Sequence, residues 1–562
     1  MPLQLLKFLF FFLLLSSTVL IQAAEEPPLQ INTSSNSAVK SSIVKIYTVA
    51  KKANYKTPWN SETMSMTGSG SIIANQHILT NAHVIADNTF IEVKRYGKTK
   101  RYEAHVVSVS HEADLAILEV SDPLFFAGAS ALSLGELPKT QQEVLVYGFP
   151  TGGDTMSVTK GVVSRIEYQR YVHSGERLLA VQVDAAINSG NSGGPIISDG
   201  KLIGVVMQKQ RKADNIGYMV PIPILKHFLK DLEDGHRDGF PGFGVQTQDM
   251  QNLAIRKMHH VPEGITGALV YHINYNSPAK GVIEVGDVIT AIDGHNVTDT
   301  EQVEYRTGEY ISHWYYLDLH QIGETVSLDI LRKGQAKRVN ITLAHDYNPY
   351  RLVSYRNYDT EPNYFIWGGF VFTPLTTNYM IETKWTPEEA YQWSSEKQQE
   401  VVVLSQVLAD SVNKGYHNIS DIIVAKINGK TFANMNEFYK ILKQSTEPFI
   451  IFEDKFGYQV IMDRLAVEAR NEQILKRYNI RYSTSHSLLQ LDQQTAQQQN
   501  NPKSKLPSIA IPLIPSSSTL PNTPKMQNSI PVAPVINSVQ NPVAIPSIPA
   551  VEIVTPSSTV QP

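Results

Sequence analysis

The sequence predicts a mainly β chain in which a double β-barrel is followed by two smaller α+β modules. Short apolar segments alternate with turn residues between residues 41 and 164, a pattern typical of barrels built from short strands. The segment DVITAIDG at residues 287–294 returns as DIIVAKING at residues 421–429, which indicates a duplicated module. Residues 487–562 are dominated by Pro, Gln, Ser, Ile and Val, and we expect them to be disordered because Pro-rich sequence without periodicity buries no core.

The composition of the 562 residues argues against several classes of function. Lys and Arg number 49 against 53 Asp and Glu, which gives a net charge of −4, so the basic footprint of a nucleic-acid-binding protein is missing. There are no cysteines, and neither disulfides nor a thiol nucleophile enter the prediction. No metal-ligand cluster and no nucleotide motif stands out in the sequence, so we expect neither a metal nor a cofactor.

Residues 1–24 have the layout of a secretory signal peptide. Lys7 precedes a dense apolar run at residues 8–15, and small residues follow as far as Ala23 and Ala24, near which we expect cleavage. The alternative is an uncleaved anchor, because residues 3–21 are nearly long enough to span a bilayer. No other segment of the sequence resembles a membrane span. Residues 25–39 are polar and are predicted to be a flexible lead-in.

The strands of the two barrels are predicted from alternating apolar residues between turn residues. The first begins at residues 41–50, and a polar loop follows at residues 51–67. The other strand candidates are residues 70–73 and 78–79, several short segments between 90 and 120, and residues 144–150 and 161–164. Residues 221–235 carry apolar side chains at helical spacing and end at Gly235, so a helix is expected to close this part of the chain.

The segment NSGNSGGP at residues 188–195 is the strongest candidate for a reactive site. Its glycines permit a sharp turn that can aim the N–H groups of Gly190 and Ser192, with Asn191 as a further donor, at one developing oxyanion. Ser192 is then the candidate nucleophile, and it needs a base beside it. A Gly/Ser-rich surface turn is the alternative interpretation of these eight residues.

His83 and Asp114 are the candidate partners of Ser192. His83 follows the strand candidate at residues 78–79, and Asp114 stands at the head of the apolar segment LAIL. The order His83, Asp114, Ser192 is one of the chain orders of the serine triad, the one found on double β-barrels. A structural histidine and a strand-end cap are the alternatives, and His77, His105 and His111 are assigned such structural roles.

The motifs GSGSII, ILTNAHV, DLAIL, VYGFP, GVVS and GNSGGP together resemble the Deg/HtrA serine endopeptidases. The resemblance extends over residues 40–480 and is strongest to the plant-type branch. It implies a chymotrypsin-like double β-barrel protease domain at residues 40–236, a first PDZ domain at 240–345 and a divergent second PDZ-like domain at 363–466.

The resemblance also implies sites for substrate. Four aliphatic side chains would line the primary specificity pocket, namely Ile187, Val205, Val206 and Met207, and would favour small or medium apolar residues at the cleaved position. Residues Gly242, Phe243, Gly244 and Val245 would form the loop that holds a peptide C-terminus in the first PDZ domain. An open groove and a closed, structural groove both stay as alternatives there, and the second domain is expected to serve assembly or domain contacts. The stretch at residues 347–362, rich in Tyr, Asn and Arg, is predicted to be a linker that packs on another part of the chain.

The function expected from this resemblance is degradation of misfolded or unfolded polypeptides in an extracytoplasmic compartment, periplasmic or exported. The family implies a homo-oligomer, usually based on trimers. From the charge balance we expect no nucleic-acid partner, and from the sequence no integral membrane segment after signal cleavage. Two alternatives stay open: an ATP-independent chaperone or holdase, and a PDZ scaffold, each with a dormant protease.

Overall fold

The structure is a computed structural model that describes residues 33–151, 153–209, 216–233, 235, 237–344 and 350–500. The predicted signal segment, most of the predicted lead-in and the tail from residue 501 lie outside the described residues. Two predicted irregular segments contain helices. Helix α1 (Thr33–Ser41) occupies the end of the lead-in, and its Val39 is buried in the large apolar cluster that also contains Ile43.

The first barrel is a seven-stranded antiparallel sheet. Its elements are β1 (Ile43–Ala53), β2 (Ser61–Ile73), β3 (His77–Thr80), α2 (Ala82–Ile85), β4 (Asn88–Arg95), β5 (Tyr102–Glu103), β6 (His105–Ser110) and β7 (Leu115–Glu119). The strand order is β5-β4-β1-β2-β3-β7-β6. Side chains from the two outermost strands, Tyr102 and Val106, pack against one shared apolar cluster, so the sheet is rolled around its own core.

The second barrel closes completely. It contains β8 (Glu143–Gly148), β9 (Ser157–Arg170), β10 (Arg177–Val183), β11 (Pro195–Ser198), β12 (Lys201–Lys209) and β13 (Gly217–Pro221). The strands follow one another in the closed order β10-β13-β12-β11-β8-β9. Helix α3 (Ile222–Lys230) follows directly and buries Ile224, Leu225 and Phe228, as the apolar spacing predicts, although the helix ends before Gly235.

The first α+β module follows the two barrels. Its elements are β14 (Val245–Gln248), α4 (Leu253–Met258), β15 (Ala268–Ile273), β16 (Val288–Ile292), β17 (His295–Asn296), β18 (Gln302–Arg306), β19 (Glu309–Ser312), α5 (Tyr315–Asp318), β20 (Thr325–Arg332) and β21 (Gln335–Thr342). The main sheet has the order β14-β15-β16-β20-β21, with β17 paired to β16, and β18 and β19 form a separate hairpin. Strand β14 is therefore an edge strand.

The second module splits its strands between a four-stranded and a three-stranded sheet around an aromatic core. The elements are β22 (Phe365–Trp367), β23 (Phe370–Pro374), α6 (Thr377–Thr383), β24 (Val402–Val407), β25 (Ile422–Val424), β26 (Lys426–Ile427), α7 (Met435–Gln444), β27 (Phe449–Glu453), β28 (Gln459–Asp463), α8 (Arg464–Arg477) and α9 (His486–Asn500). The predominance of strands confirms the predicted mainly β class.

Helix α9 occupies the beginning of the segment predicted to be disordered. Leu488 is fully buried in the core of the second module, and the Tyr439 hydroxyl donates to Asp492 at 2.6 Å. The predicted start of the tail at residue 487 is therefore too early, because these two contacts hold the start of helix α9 against a folded module. In the described part of the chain, none of the helices is long and apolar enough to cross a membrane.

Candidate active site

Strand pairing brings His83 and Asp114 together. Strands β3 and β7 are antiparallel neighbours, and Thr80 at the end of β3 pairs with Ala116 near the start of β7. His83 follows Thr80 on the short helix α2, and Asp114 immediately precedes β7. The two side chains therefore emerge at the same edge of the first barrel, as the sequence predicts.

Asp114 binds His83 at both the ring and the backbone. The ring Nδ1 of His83 lies 2.8 Å from Oδ2 and 3.0 Å from Oδ1 of Asp114. The backbone N–H of His83 donates to Oδ1 at 2.9 Å, and the Asn81 side chain donates to the Asp114 carbonyl at 2.7 Å. Since Asp114 is 1% exposed, its carboxylate accepts the Nδ1 proton and leaves Nε2 free to accept another.

The charge of Asp114 controls the protonation of His83. Burial alone lowers the pKa of the imidazole, but the neighbouring carboxylate charge and its hydrogen bond outweigh burial, so the pKa of His83 lies above its ordinary value. The side chain of His83 keeps 32% of its surface exposed. It is therefore a base that substrate can reach, and a carboxylate stabilises its protonated form.

The turn around Ser192 packs directly on the strands that carry His83. The Ser69 N–H donates to the Ser192 carbonyl at 2.8 Å. A Cβ atom on Gly193, whose φ is +81°, would stand 2.2 Å from both the Ser69 carbonyl and the Thr80 Oγ1. Only glycine permits this approach, and it places the turn against the end of β3, three residues before His83.

The backbone of this turn offers two unused donors. The N–H of Asn191 donates to the Asn188 carbonyl at 3.0 Å and is thus engaged within the turn. Within the described part of the chain, the N–H groups of Gly190 and Ser192 donate to no protein acceptor. These two donors can bind an oxyanion in the manner expected from the sequence.

The four side chains assigned to the specificity pocket divide between two apolar clusters. Ile187 and Val206 pack with Met219 inside the second barrel, whereas Val205 and Met207 pack on the opposite side of β12. Alternation along a strand accounts for this division. Residues 210–215, which follow β12, lie outside the described residues, so the pocket stays a prediction.

The first module has a cavity of about 600 Å³ between β14, the β18–β19 hairpin and strand β9 of the second barrel. Of the four residues predicted to hold a peptide carboxylate, Val245 lines this cavity. Gly242, Phe243 and Gly244 are buried, and the Tyr350 hydroxyl donates to the Gly242 carbonyl at 3.2 Å.

The interpretation of the sequence missed one residue beside His83 and a second residue that stacks on it. His173 lies in the turn between β9 and β10, with its ring centroid 6.1 Å from that of His83. Tyr358, from the predicted linker, stacks on His173 at 3.9 Å. The aromatic content of residues 347–362 indicated a packed segment, but nothing in the sequence pointed to the surface on which it packs.

Comparison with known families agrees with this architecture. A model described as a trypsin-like peptidase domain matches residues 68–205. Two models described as PDZ domains match residues 241–343 and 353–487. The two α+β modules are therefore PDZ domains, and the two barrels belong to a trypsin-like protease domain.

Relatives of similar length are proteases from Arabidopsis thaliana. The mitochondrial Do-like protease 3 is 37% identical over 85% of this chain and 85% of its own length. The mitochondrial Do-like protease 4 is 39% identical over 74% of this chain and 79% of its own length. The chloroplastic Do-like protease 2 is 36% identical over 80% and 76%. A solved HtrA-type protease with a decapeptide is 22% identical, covers 56% of this chain and 96% of its own, and has a TM-score of 0.46.

Relatives at this identity, aligned over most of both chains, show that the protein belongs to the Deg/HtrA family of serine endopeptidases.

Proposed function

We propose that this protein hydrolyses unfolded or misfolded polypeptides with Ser192 as nucleophile, His83 as general base and Asp114 as the group that orients the base. The observation that supports this most strongly is the double contact of Asp114 with the ring and the backbone of His83, at the end of a strand against which Gly193 packs.

In the proposed mechanism, Nε2 of His83 takes the Ser192 hydroxyl proton as the oxygen attacks the substrate carbonyl. Asp114 holds the Nδ1 proton and stabilises the imidazolium that forms. The N–H groups of Gly190 and Ser192 bind the oxyanion, and His83 then gives its proton to the leaving amine. Water repeats the same steps to release the acyl group from Ser192.

The test is cleavage of casein, an unfolded substrate, by the mature protein and by its Ser192→Ala variant. We expect the variant to lose activity by about a million-fold, since removal of the triad nucleophile costs this much in serine proteases. Ser198→Ala, which changes a buried serine on β11 of the same barrel, is the control and should cleave casein. Equal cleavage by the parent and Ser192→Ala would overturn the proposed role of Ser192.

A holdase with a dormant protease is the second candidate function. It is favoured by one observation: residues 355–359, which precede the first strand of the second PDZ domain, cover His173, whose ring lies next to that of His83. Suppression of aggregation of a heated client protein by Ser192→Ala, without cleavage by the parent at any temperature, would support the holdase. Cleavage by the parent that Ser192→Ala lacks supports the protease.

The proposed compartment is extracytoplasmic or organellar. The predicted signal segment at residues 1–24 supports targeting, and the named relatives include mitochondrial and chloroplastic proteins. N-terminal sequencing of the protein isolated from its host tests this, and a mature chain that retains residues 1–24 would refute cleavage.

The proposal also includes peptide binding by the first PDZ domain and assembly into a homo-oligomer. The free edge of β14 is suited to a peptide C-terminus that adds as a further strand, and the family resemblance favours a homo-oligomer based on trimers. Calorimetric titration with a free and a C-terminally amidated peptide, and sedimentation of the intact protein, are the corresponding measurements.

A further inference from the structure

The segment at residues 355–359, which precedes the first strand of the second PDZ domain and is here called the interdomain segment, places an aromatic ring on His173, a neighbour of His83. The ring of Tyr358 stacks on that of His173, with centroids 3.9 Å and planes 21° apart. It also stacks on His111, with centroids 4.8 Å apart. Because His173 lies 6.1 Å from His83, Tyr358 occupies the first aromatic surface next to the catalytic base.

Polar contacts seat the interdomain segment on this surface. The Tyr358 hydroxyl donates to the His173 carbonyl at 2.9 Å. A carboxylate oxygen of Asp359 lies 2.8 Å from Nε2 of His111, and the Asp359 N–H donates to Asp87 at 2.8 Å. The segment therefore binds the protease domain as a bound peptide would, with one ring and several hydrogen bonds.

A second ring of the segment fits a position where only glycine leaves room. A Cβ atom on Gly175 would overlap the ring of Tyr355, at 1.6 Å from its Cζ, and the Tyr355 hydroxyl bonds Arg170. Gly175 has a φ of +84°. The turn between β9 and β10 thus receives two aromatic side chains of the segment, Tyr355 and Tyr358.

The two histidines that receive Tyr358 are hydrogen-bonded to each other. His111 Nδ1 and His173 Nε2 are 2.9 Å apart, so one ring donates to the other and at least one of the two is neutral. Burial lowers the pKa of His173, and the neighbouring His111 and His83 lower it further, which keeps His173 neutral. No group of histidines and carboxylates in the described residues is arranged to hold a metal ion.

We propose that His111 and His173 form a substrate subsite for an aromatic side chain, and that Tyr358 fills this subsite until substrate displaces it. This inference rests on the proposed protease function. An extended substrate advances about 3.3 Å per residue, so a side chain within a few residues of the scissile bond reaches a surface 6 Å from His83. Substrate and Tyr358 cannot occupy the surface together, and the segment is thereby an internal competitor.

The test measures peptide binding to proteins that cannot cleave. Ser192→Ala and Ser192→Ala/Tyr358→Ala are titrated with fluorescein-labelled decapeptides whose C-termini are amidated, so that carboxylate capture by a PDZ domain is removed. Each peptide has one Val at its centre. Of the four positions before this Val, one holds Phe and the other three hold Ala or Ser, and the position of the Phe differs from peptide to peptide. The reference peptides carry Leu or Arg in place of Phe.

We expect Tyr358→Ala to lower the Kd of the peptide with Phe at one of the four positions about two- to tenfold, the range of an aromatic pair. The Kd values of the Leu and Arg peptides should stay unchanged. Tyr358→Phe keeps the ring and should bind like the Ser192→Ala parent. Tyr458→Ala removes a tyrosine that is 49% exposed in the turn after β27 and should change nothing.

If Tyr358→Ala raised the affinity of the Phe, Leu and Arg peptides equally, the aromatic subsite would be overturned. If it raised the affinity of none of the peptides, the competition by Tyr358 would be overturned. Failure of the proposed function is seen separately. If the otherwise unchanged chain with Ser192 does not react with a fluorophosphonate probe, with or without Tyr358→Ala, Ser192 is not an active nucleophile, whatever the peptides show.

Discussion

At the residue scale, Asp114 determines when His83 can act. The carboxylate contacts the Nδ1 of His83 at 2.8 Å and raises the pKa of the imidazole above its ordinary value against the effect of burial. A general base works only when it is unprotonated. Activity is therefore present above the pKa of His83 and is lost as the pH falls through it.

We expect kcat/KM for casein to fall on the acid side with an apparent pKa above about 6.5, the ordinary value of histidine. Asp114→Asn should lower kcat about 10⁴-fold, because the amide stabilises the wrong tautomer of His83. Asp199→Asn is a matched control, since Asp199 is exposed and has a φ of +49° against +54° for Asp114. A pH profile that is the same in Asp114→Asn and the parent would contradict the role given to Asp114.

Gly193 allows a second test at this scale. Gly193→Ala places a methyl group 2.2 Å from the Ser69 carbonyl and the Thr80 hydroxyl, so we expect loss of fluorophosphonate labelling at Ser192 together with about 2–4 kcal/mol of stability. Gly97→Ala has similar backbone strain, with a φ of +70°, but open space around the new methyl group, and should cost about 1 kcal/mol. Thermal unfolding and labelling are the measurements, and equal losses in the two variants would show that close packing of the turn is unimportant.

At the scale of elements, Asp318 links the first PDZ domain to the second barrel. Its Oδ2 accepts a hydrogen bond from the Tyr168 hydroxyl of β9 at 2.5 Å, and the residue is 3% exposed at the end of α5. Burial raises the pKa of Asp318 to about 7, against the effect of the Tyr168 hydrogen bond. Asp318 in the folded protein therefore keeps a proton that the unfolded chain loses near pH 4.

The sign of the effect on stability follows from proton linkage. Between about pH 4 and 7 the folded state binds one more proton than the unfolded state, so the free energy of unfolding falls as the pH rises through this window. The side chain of Asn in Asp318→Asn cannot ionise, so this variant should not lose stability in this window. Relative to the parent, its free energy of unfolding should therefore rise by about 3 kcal/mol between pH 5 and pH 8. Asp249→Asn, at an exposed site of the same domain, is the control. Thermal unfolding at the two pH values measures the advantage, and an equal pH dependence in Asp318→Asn and the parent would refute it.

The elements also show which parts of the fold the sequence determines locally. Strands β1 and β8 and helix α3 were predictable because their apolar spacing is set within the segment. The repeated motif forms one strand, β16, in the first PDZ domain but divides between β25 and β26 in the second. The division was not predictable, because it depends on which sheet each half joins.

The candidate site shows the same limit. Local motifs identified His83, Asp114 and Ser192, whereas the engagement of the Asn191 N–H within its turn depends on backbone geometry that glycine-rich sequence leaves open. The contact of Tyr358 with His173 joins residues 185 positions apart, so it depends on the tertiary packing of the chain. No periodicity records such a contact.

At the scale of the whole molecule, the second PDZ domain packs against the loop between β1 and β2 of the first barrel. Tyr55 in that loop is 5% exposed and packs with Leu375 and Tyr379 of the second PDZ domain. Its N–H donates to Glu382 at 2.7 Å, and Trp59 makes an edge contact with Tyr364, with ring centroids 6.2 Å apart. The loop holds the PDZ domain in place, and the domain in turn holds the interdomain segment, because Asn378 of α6 bonds both the N–H and the carbonyl of Asn357.

Tyr55→Ala should therefore loosen the interdomain segment from a distance. Truncation of a buried aromatic side chain costs about 3–5 kcal/mol of stability. If only about a third of this were lost from the free energy that keeps the interdomain segment docked, the undocked population would rise about tenfold. In the Ser192→Ala background, limited digestion with trypsin should then cut after Arg356, which contacts the Val172 carbonyl at 3.4 Å, at least about tenfold faster than in the same protein with Tyr55. Tyr96→Ala, at a 39% exposed site of the same barrel, should be cut at the unchanged rate. Equal rates in all three proteins would mean that the second PDZ domain and the interdomain segment move independently, and release of Tyr358 would then have to come from substrate alone.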